Sequence, residues 1–137
     1  DLNSQIINKG ELISEDKEIV IINSFGILQN YFKFSNSVFM GKSTIKKLEN
    51  VGGQNPIDAV RFGCKIYHGP YVYNFKEIYD FLKKNKISKK INNESKMFNY
   101  LDKLLSKKNN SKKIQKNLKN IGDQILKKTY KEINYLI

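Results

Sequence analysis

Residues 51–75 read VGGQNPIDAVRFGCKIYHGPYVYNF, and this stretch decides the fold. Asn55 and Pro56 are suited to begin a helix, because Asn is a good N-cap and Pro fits the first helical turn. The helix is predicted to end at Gly63, since glycine commonly terminates helices. A short strand over 64–67 follows it. The sequence therefore predicts a helix and then a strand here, joined by short connections.

The same alternation extends to both sides of that stretch. Strands are predicted over 18–23 and 37–40, with a helix over about 27–35 between them. The β-branched run at 18–23 is typical of a strand buried on both faces of a parallel sheet. Asn74 is predicted to cap a further helix that ends near Leu82. Strand and helix thus alternate three times, which is typical of an α/β domain with a parallel sheet.

The charge of the chain is concentrated in its C-terminal part. The 137 residues carry 25 Lys and Arg against 13 Asp and Glu, a net charge of +12. Residues 83–137 carry 16 Lys against four acidic side chains, and the remainder has nine of each sign. This part is predicted to be a lysine-rich connector, 83–92, with a brief strand at Ile87, followed by helices over 93–107 and 110–135.

The lysines of the C-terminal part have two interpretations. In the first they form a basic surface for nucleic acid or an anionic membrane. In the second they reflect composition alone and lie on solvated helix faces. Arg61 is the one arginine of the chain, and nucleic-acid readers rely on arginine, so nucleic acid is not an expected partner.

Composition excludes several classes of protein. No run approaches the length of about 18 apolar residues that a membrane-spanning helix needs. A single cysteine, Cys64, excludes an internal disulfide framework and is predicted to be a small core residue. With one histidine and no clustered carboxylates, no metal site is expected. The chain begins at Asp1 without a charged and apolar leader, so no signal peptide is expected and the chain is interpreted as a fragment.

The loop before the predicted helix at Asn55 has the properties of an anion site. Two adjacent glycines let the backbone approach a ligand closely, and a helix N-terminus favours a group such as phosphate. Asp58 is near enough to accept hydrogen bonds from sugar hydroxyls of the same ligand. Loops 23–26, 41–54 and 68–73 would converge at the carboxyl ends of parallel strands, where such sheets bind ligands. Equally weighted is the interpretation that Gly-Gly-Gln-Asn-Pro is only a loop and helix cap.

Two further side chains are candidates for lining the cleft. His68 ends a predicted buried strand and either approaches the ligand or is a hydrogen-bonded structural histidine. Tyr71 is predicted to pack beside the cleft.

The ordered motifs resemble a known family. GGQNPIDAVRFGCKIYHGPYVYNFKEIYDFL is similar to the C-terminal signature of bacterial 3-deoxy-D-manno-octulosonic acid (Kdo) transferases. Their pattern is Gly-Gly-His/Gln-Asn-Pro-Leu/Ile-Glu, a short helix, a strand ending in Gly-Pro and a later Asn-Phe. Upstream, INSFGILQNYFKFSNSVFMGKS resembles their Asp-Thr-x-Gly-Glu-Leu segment and the strand after it. The resemblance covers residues 10–82, in order and at the family's spacing.

The resemblance implies an α/β fold: an incomplete Rossmann-like C-terminal domain of a two-domain, GT-B type glycosyltransferase, followed by C-terminal helices. Residues 1–82 would be the nucleotide-sugar-binding part, and 83–137 the lysine-rich connector and C-terminal helices. These enzymes transfer Kdo from CMP-Kdo to the lipid A precursor in lipopolysaccharide biosynthesis, peripherally, at the cytoplasmic face of the bacterial inner membrane. The implied partners are therefore CMP-Kdo, the lipid A precursor and the anionic membrane surface, with no cofactor.

The family also implies roles for particular positions. Its general base, a Glu, belongs to an N-terminal domain, so no catalytic residue is expected in this chain and the chain alone would be inactive. Asp58, at the family's Glu position, would hydrogen-bond the ribose. The residues implied to contact the donor are Gly52, Gly53, Gln54 and Asn55 beside the phosphate, and Ser24, Gly26 and Ile27 beside the base.

The chain departs from the family pattern at several of these positions. Asn23 and Ser24 stand in place of Asp and Thr, and Ile27 replaces a Glu, which removes a carboxylate beside the nucleotide. Gln54 replaces His and keeps both hydrogen-bonding functions, while Asp58 keeps the charge of Glu on a shorter arm. Two alternative functions remain: a basic interaction module acting through residues 83–137, and a different nucleotide-sugar transferase of similar architecture.

Overall fold

A computed structural model describes residues 2–105 and 111–136. Contacts divide the chain into two units, residues 1–31 and residues 32–137. The division predicted at residue 82 concerns function and stays a prediction.

The first unit contains a two-stranded parallel sheet. Strands β1 (Ser4–Ile7) and β2 (Ile19–Ile22) pair in register from Ser4 with Ile19 to Ile7 with Ile22. The strand predicted at 18–23 is therefore confirmed, one residue shorter at each end. Its predicted burial on both faces is wrong: the side chains of Ile19 and Ile21 are 40% and 50% exposed. Pairing with β1 satisfies the backbone of β2, whereas burial of its side chains requires elements packed on both faces of the sheet.

The second unit contains a three-stranded parallel sheet. Its strands are β3 (Ser37–Met40), β4 (Lys65–His68) and β5 (Ser88–Lys90), in that order across the sheet. The register places Met40, His68 and Lys90 side by side at the carboxyl ends of the strands. The sequence predicted one parallel sheet, whereas the described strands form two, because β2 and β3 do not pair.

Short helices connect these strands. The chain passes from β2 to β3 through α1 (Leu28–Phe32), which is shorter than the predicted 27–35. The connection from β3 to β4 contains a 3-10 turn at Lys46–Leu48 and helix α2 (Ile57–Arg61), and α3 (Lys76–Lys84) joins β4 to β5.

The predicted end of α2 at Gly63 is confirmed, whereas its N-cap is Pro56 and not the predicted Asn55. Asn55 lies one residue earlier, and its side-chain Oδ1 accepts a hydrogen bond from the backbone N–H of Ile57 at 3.0 Å. At the other end Gly63 adopts a φ of +84°, and the N–H of Cys64 reaches back to the carbonyl of Ala59 at 3.1 Å. Glycine tolerates this left-handed backbone without the strain of a side chain, which explains the helix stop.

The predicted cap of the next helix is wrong. Asn74 lies inside a 3-10 turn, Tyr73–Phe75, that leads directly into α3. Its side-chain Nδ2 donates instead to the carbonyl of Val51 at 2.9 Å. The reason is a tertiary contact: the side chain of Asn74 is hydrogen-bonded to a backbone carbonyl of the preceding loop and does not cap the helix.

The C-terminal part forms α4 (Glu94–Leu105) and α5 (Ser111–Leu136). These agree with the predicted helices over 93–107 and 110–135 where the residues are described. Ile114 and Leu118 of α5 pack against the core of the second unit. No helix among residues 2–105 and 111–136 is both long enough and apolar enough to cross a membrane.

The core of the second unit lies between the sheet and its helices. Its buried members are Met40, Ala59, Val60, Cys64, Ile66, Tyr79, Leu82 and Ile87. Cys64 is a core residue, as predicted, and its Sγ contacts the carbonyls of Phe32 and Ser35 at 3.4 and 3.2 Å. Burial raises the pKa of the Cys64 thiol, so it stays protonated and packs as an apolar side chain.

Candidate functional site

Two of the three loops predicted to form the site lie at the carboxyl edge of the three-stranded sheet. The loops after β3 and β4, over 41–54 and 68–73, meet there, and the segment after β5 begins at the same edge. Parallel α/β sheets bind their ligands at this edge. The predicted convergence of these two loops is therefore present in the second unit.

A buried serine fastens the two loops together. Ser43 is fully buried; its hydroxyl donates to the carbonyl of Met40 at 2.6 Å and accepts from the N–H of Gly69 at 2.8 Å. Its backbone carbonyl accepts from the N–H of Tyr71 at 2.8 Å. A Cβ at Gly69 would lie 2.2 Å from that carbonyl oxygen, so only glycine fits. Sequence reasoning missed Ser43, because a lone serine in a polar loop gives no periodic signal.

The paired glycines are packed against the chain itself. A Cβ at Gly52 would lie 2.6 Å from the carbonyl oxygen of Leu48 and 2.8 Å from that of Tyr71. Gly53 has a φ of +88°, and a Cβ there would lie 3.0 Å from the Cα of Val72. Both glycines are buried. The structure thus requires glycine at both positions for internal packing, whatever ligand the loop binds.

The polar side chains of this loop face outward. Gln54, Asn55 and Asp58 are exposed, and the side chain of Asn55 accepts from the N–H of Ile57 at the start of α2. The backbone carbonyl of Gln54 accepts a hydrogen bond from the hydroxyl of Tyr79 at 2.8 Å, which fixes the loop to α3. Because α2 has only five residues, its dipole is weak, and an anion here would depend mainly on loop N–H groups.

The remaining predicted donor contacts lie in the first unit. Gly26 has a φ of +79°, and no described atom lies within 4 Å of the point that a Cβ would occupy, so its backbone conformation and not packing requires glycine. Ser24 has a buried hydroxyl with no hydrogen-bond partner among the described residues. Ile27 is half-buried. Their meeting with residues 52–58 stays a prediction.

A cavity of about 300 Å³ opens beside His68 at the sheet edge. It is lined by Glu49, His68, Pro70, Val72, Tyr73, Lys76, Tyr79, Asp80, Lys83 and Lys90. His68 is 4% exposed, its Nδ1 lies 2.8 Å from the carbonyl oxygen of Gly69, and its ring centroid is 4.4 Å from that of Tyr79. Its Nε2 is buried and has no partner among the described residues.

Burial lowers the pKa of His68 below its ordinary value of 6.5. The hydrogen bond with the Gly69 carbonyl opposes this effect, Lys90 and Lys83 add to it, and Asp80 opposes it. The imidazole is therefore neutral at pH 7.

A second cavity, of about 430 Å³, shares the side chain of Pro70 with the first. It is lined by Phe39, Thr44, Pro70, Tyr71, Ile91, Asn92, Asn93 and Met97. Tyr71 and His68 thus line different cavities, and residues 52–58 line neither. Among the described residues, no group of three or more His, Cys, Asp or Glu side chains comes together.

Comparison with known proteins identifies relatives of the chain. No protein-family model matches it. A 3-deoxy-D-manno-octulosonic acid transferase of Aquifex aeolicus (strain VF5) is 25% identical over 91 residues, which are 66% of this chain and 25% of that protein. The enzyme of the same name from Haemophilus influenzae is 27% identical over 116 residues, 85% of this chain and 26% of that protein.

The fold is also found in a solved structure. The C-terminal CMP-Kdo binding domain of WaaA from Acinetobacter baumannii matches with a TM-score of 0.68 and 17% sequence identity. The match covers 83% of this chain and 57% of that one.

The fold follows from this match: the chain has the parallel α/β fold of that C-terminal domain, with small, incomplete sheets. The predicted fold class is confirmed. In sequence the chain is similar to Kdo transferases, so the predicted resemblance to the C-terminal portion of that family is confirmed as well. The chain spans about a quarter of the length of the curated relatives it matches.

Proposed function

We propose that this chain is the donor-binding part of a Kdo transferase and holds CMP-Kdo. The observation that carries the proposal is the joining of loops 41–54 and 68–73 at the carboxyl edge of the second sheet. These loops contain the motifs that resemble the family, and the edge is the one at which α/β sheets bind nucleotides. The names of the relatives support the same substrate.

In this proposal different groups of the protein contact different parts of CMP. The backbone from Gly52 to Asn55 lies beside the CMP phosphate, and Asp58 accepts hydrogen bonds from the ribose. Ser24, Gly26 and Ile27 contribute backbone contacts to the base. The outward-facing Gln54 and Asp58 support this assignment, since both are available to a ligand.

The proposed reaction transfers Kdo to a hydroxyl of the lipid A precursor. The hydroxyl oxygen bonds to the anomeric carbon of Kdo while the bond from that carbon to the phosphate oxygen breaks, and CMP leaves with the electron pair. The hydroxyl proton passes to a base that we place in an N-terminal domain outside these residues. The chain alone is accordingly expected to bind the donor without transferring Kdo.

Calorimetric titration of the full chain with CMP tests this proposal. We expect saturable binding that Asp58→Asn weakens about tenfold, the cost of one charge-assisted hydrogen bond. Asp123→Asn makes the same chemical change on α5, where Asp123 is exposed, and serves as the matched control. Equal affinity of the two variants, or no binding of CMP at all, would contradict the proposal.

We also propose that the protein works peripherally at the cytoplasmic face of the inner membrane. Among the α5 side chains that the structure describes, six lysines are exposed: Lys112, Lys113, Lys116, Lys119, Lys127 and Lys131. A lysine near an anionic bilayer contributes about 1 kcal/mol of attraction. We expect the chain to sediment with vesicles containing phosphatidylglycerol and to be released by salt. Sedimentation that does not depend on anionic lipid would contradict this assignment.

The relatives support the donor-binding role over a basic interaction module acting through residues 83–137. The two sequence relatives are named as transferases, which supports an enzyme over an interaction module.

A further inference from the structure

The cavity of about 430 Å³ at the carboxyl edge of the second sheet has an uncharged lining. None of the eight described residues that line it is charged, although 28% of the residues of the chain are. Five of the eight are apolar or aromatic: Phe39, Pro70, Tyr71, Ile91 and Met97. Such a lining does not compensate for the desolvation of an ion, so phosphates and carboxylates do not match the interior of this cavity.

The polar residues of the lining are exposed. Thr44, Asn92 and Asn93 are exposed, whereas Ile91 is 4% exposed and Met97 is half-buried. The side-chain Oδ1 of Asn93 also has a partner already, because it accepts from the N–H of Lys96 at 3.0 Å. A ligand that fits this arrangement is apolar where it is buried and polar only where it meets solvent.

Backbone hydrogen bonds hold the apolar wall in place. The N–H of Tyr71 donates to the carbonyl of Ser43 at 2.8 Å, which fixes its loop to the loop after β3. The N–H of Ile91 donates to the carbonyl of His68 at 2.8 Å and so continues the pairing of β5 with β4. The cavity is therefore formed before a ligand binds, and a ligand does not have to order these residues.

Helix α4 contributes a methionine to the lining. Met97 lies in the first turn of α4, where its N–H donates to the carbonyl of Asn93 at 3.2 Å. Methionine is unbranched and adapts to apolar groups of different shapes. The lining thus combines a fixed wall with one adaptable side chain.

We propose that this cavity binds the alkyl chain of a single-chain amphiphile, such as a fatty acid or a lysolipid. The alkyl chain lies against Phe39, Ile91 and Met97, and the head group stays in solvent. Removal of apolar surface from water supplies the affinity. The inference does not depend on the proposed function, since residues 52–58, where we place CMP, do not line this cavity.

Methyl NMR of methionine tests the inference, because the chain has two methionines and Met97 lines the cavity. The full chain, labelled with carbon-13 at its methionine methyl groups, is titrated with hexyl, octyl and decyl maltoside below their micelle concentrations. We expect a saturable shift of Met97, with Met40, buried in the core, as the internal control. The affinity should rise about fourfold per added methylene, as burial of alkyl surface predicts.

A second titration, with octanoate, tests the position of the head group. Because the lining is uncharged and the head group is placed in solvent, octanoate and octyl maltoside should bind with similar affinity. A preference of more than about tenfold for octanoate would indicate an ionic site and would overturn the inference.

A matched pair of phenylalanines tests the wall of the cavity. Phe39 lines it, whereas Phe98 is 72% exposed and does not. Phe39→Ala should weaken the binding of decyl maltoside about tenfold, because it removes apolar surface from the wall, and Phe98→Ala should leave it unchanged. Met97→Leu keeps an apolar side chain of similar volume and should retain binding, followed by the amide of Tyr71. Circular dichroism of each variant confirms that loss of binding is not loss of folding.

Other results would also overturn the inference. These are no saturable shift of Met97, an affinity that does not depend on chain length, equal effects of the two phenylalanine variants, and displacement of the alkyl chain by CMP. If CMP shifts residues 52–58 while the maltosides leave Met97 unchanged, this inference fails and the proposed function stands. Binding of the maltosides without binding of CMP rejects the donor site and keeps this cavity.

Discussion

The two sheets of this chain place similar strands in different surroundings. Strand β2, with the sequence IVII, leaves Ile19 and Ile21 40% and 50% exposed, whereas Ile66 of β4 is fully buried. The sheet of the second unit is covered by α2, α3 and α5, and its loops are hydrogen-bonded to each other. The β-branched pattern thus determines where a strand forms, while burial depends on the elements that pack against it.

The largest expected effect is the difference in stability between a variant of Ile66 in β4 and a variant of Ile21 in β2. Ile66→Ala removes a fully buried side chain and should lower the free energy of unfolding by about 4 kcal/mol, from lost burial and the cavity that remains. Ile21→Ala removes a half-exposed one and should cost about 1 kcal/mol. Urea unfolding followed by circular dichroism measures both. Equal losses would mean that β2 is as well packed as β4.

The second comparison is between the stability costs of replacing Gly69 in the second unit and Gly10 in the first. Gly69→Ala would place a Cβ 2.2 Å from the carbonyl oxygen of Ser43, and we expect a loss of about 3 kcal/mol from the forced shift of backbone. Gly10, at a φ of +92°, has no described atom within 4 Å of a Cβ position, so Gly10→Ala should cost only about 1 kcal/mol of backbone strain. The same unfolding experiment applies. A small effect at Gly69 would show that the two loops are not fastened at Ser43.

The smallest expected effect is a dependence of stability on pH. Burial holds the pKa of His68 below 6.5 in the folded state, so the unfolded chain takes up this proton first. The contribution of the neutral His68 to the free energy of unfolding is fully present above pH 6.5. It is lost as the pH falls from 6.5 through the pKa of His68 in the folded state. His68→Gln should reduce the slope of the free energy of unfolding as the pH falls below about 6.5. An unchanged slope would mean that His68 is not buried.

Much of the second unit could be predicted from local sequence. Gly63 ends α2 as predicted, and the N-cap lies one residue from the predicted Asn55, because these signals act within a few residues along the chain. Asn74 failed as a predicted cap because Val51, 23 residues away, accepts its hydrogen bond. Such a contact leaves no periodic signal in the sequence.

The candidate site was predictable only in part. The glycine-rich loop and its meeting with loop 68–73 followed from the order of strands and the rule for parallel sheets. The roles of Ser43 and Tyr79 did not, since both residues act through long-range hydrogen bonds with backbone groups. The cavity beside His68 also depends on lysines from different elements, Lys76 and Lys90 among them, that only the fold brings together.

The central claim is that the second unit binds a cytidine nucleotide at the loop before α2. Amide NMR of the labelled full chain, titrated with CMP and separately with UMP, tests it most directly. The account predicts saturable shifts for Gly52 to Asp58 with CMP, together with Ser24 to Ile27 if both units contribute, and weaker shifts with UMP. Absence of saturable shifts at Gly52 to Asp58, or shifts confined to residues 83–137, would contradict it.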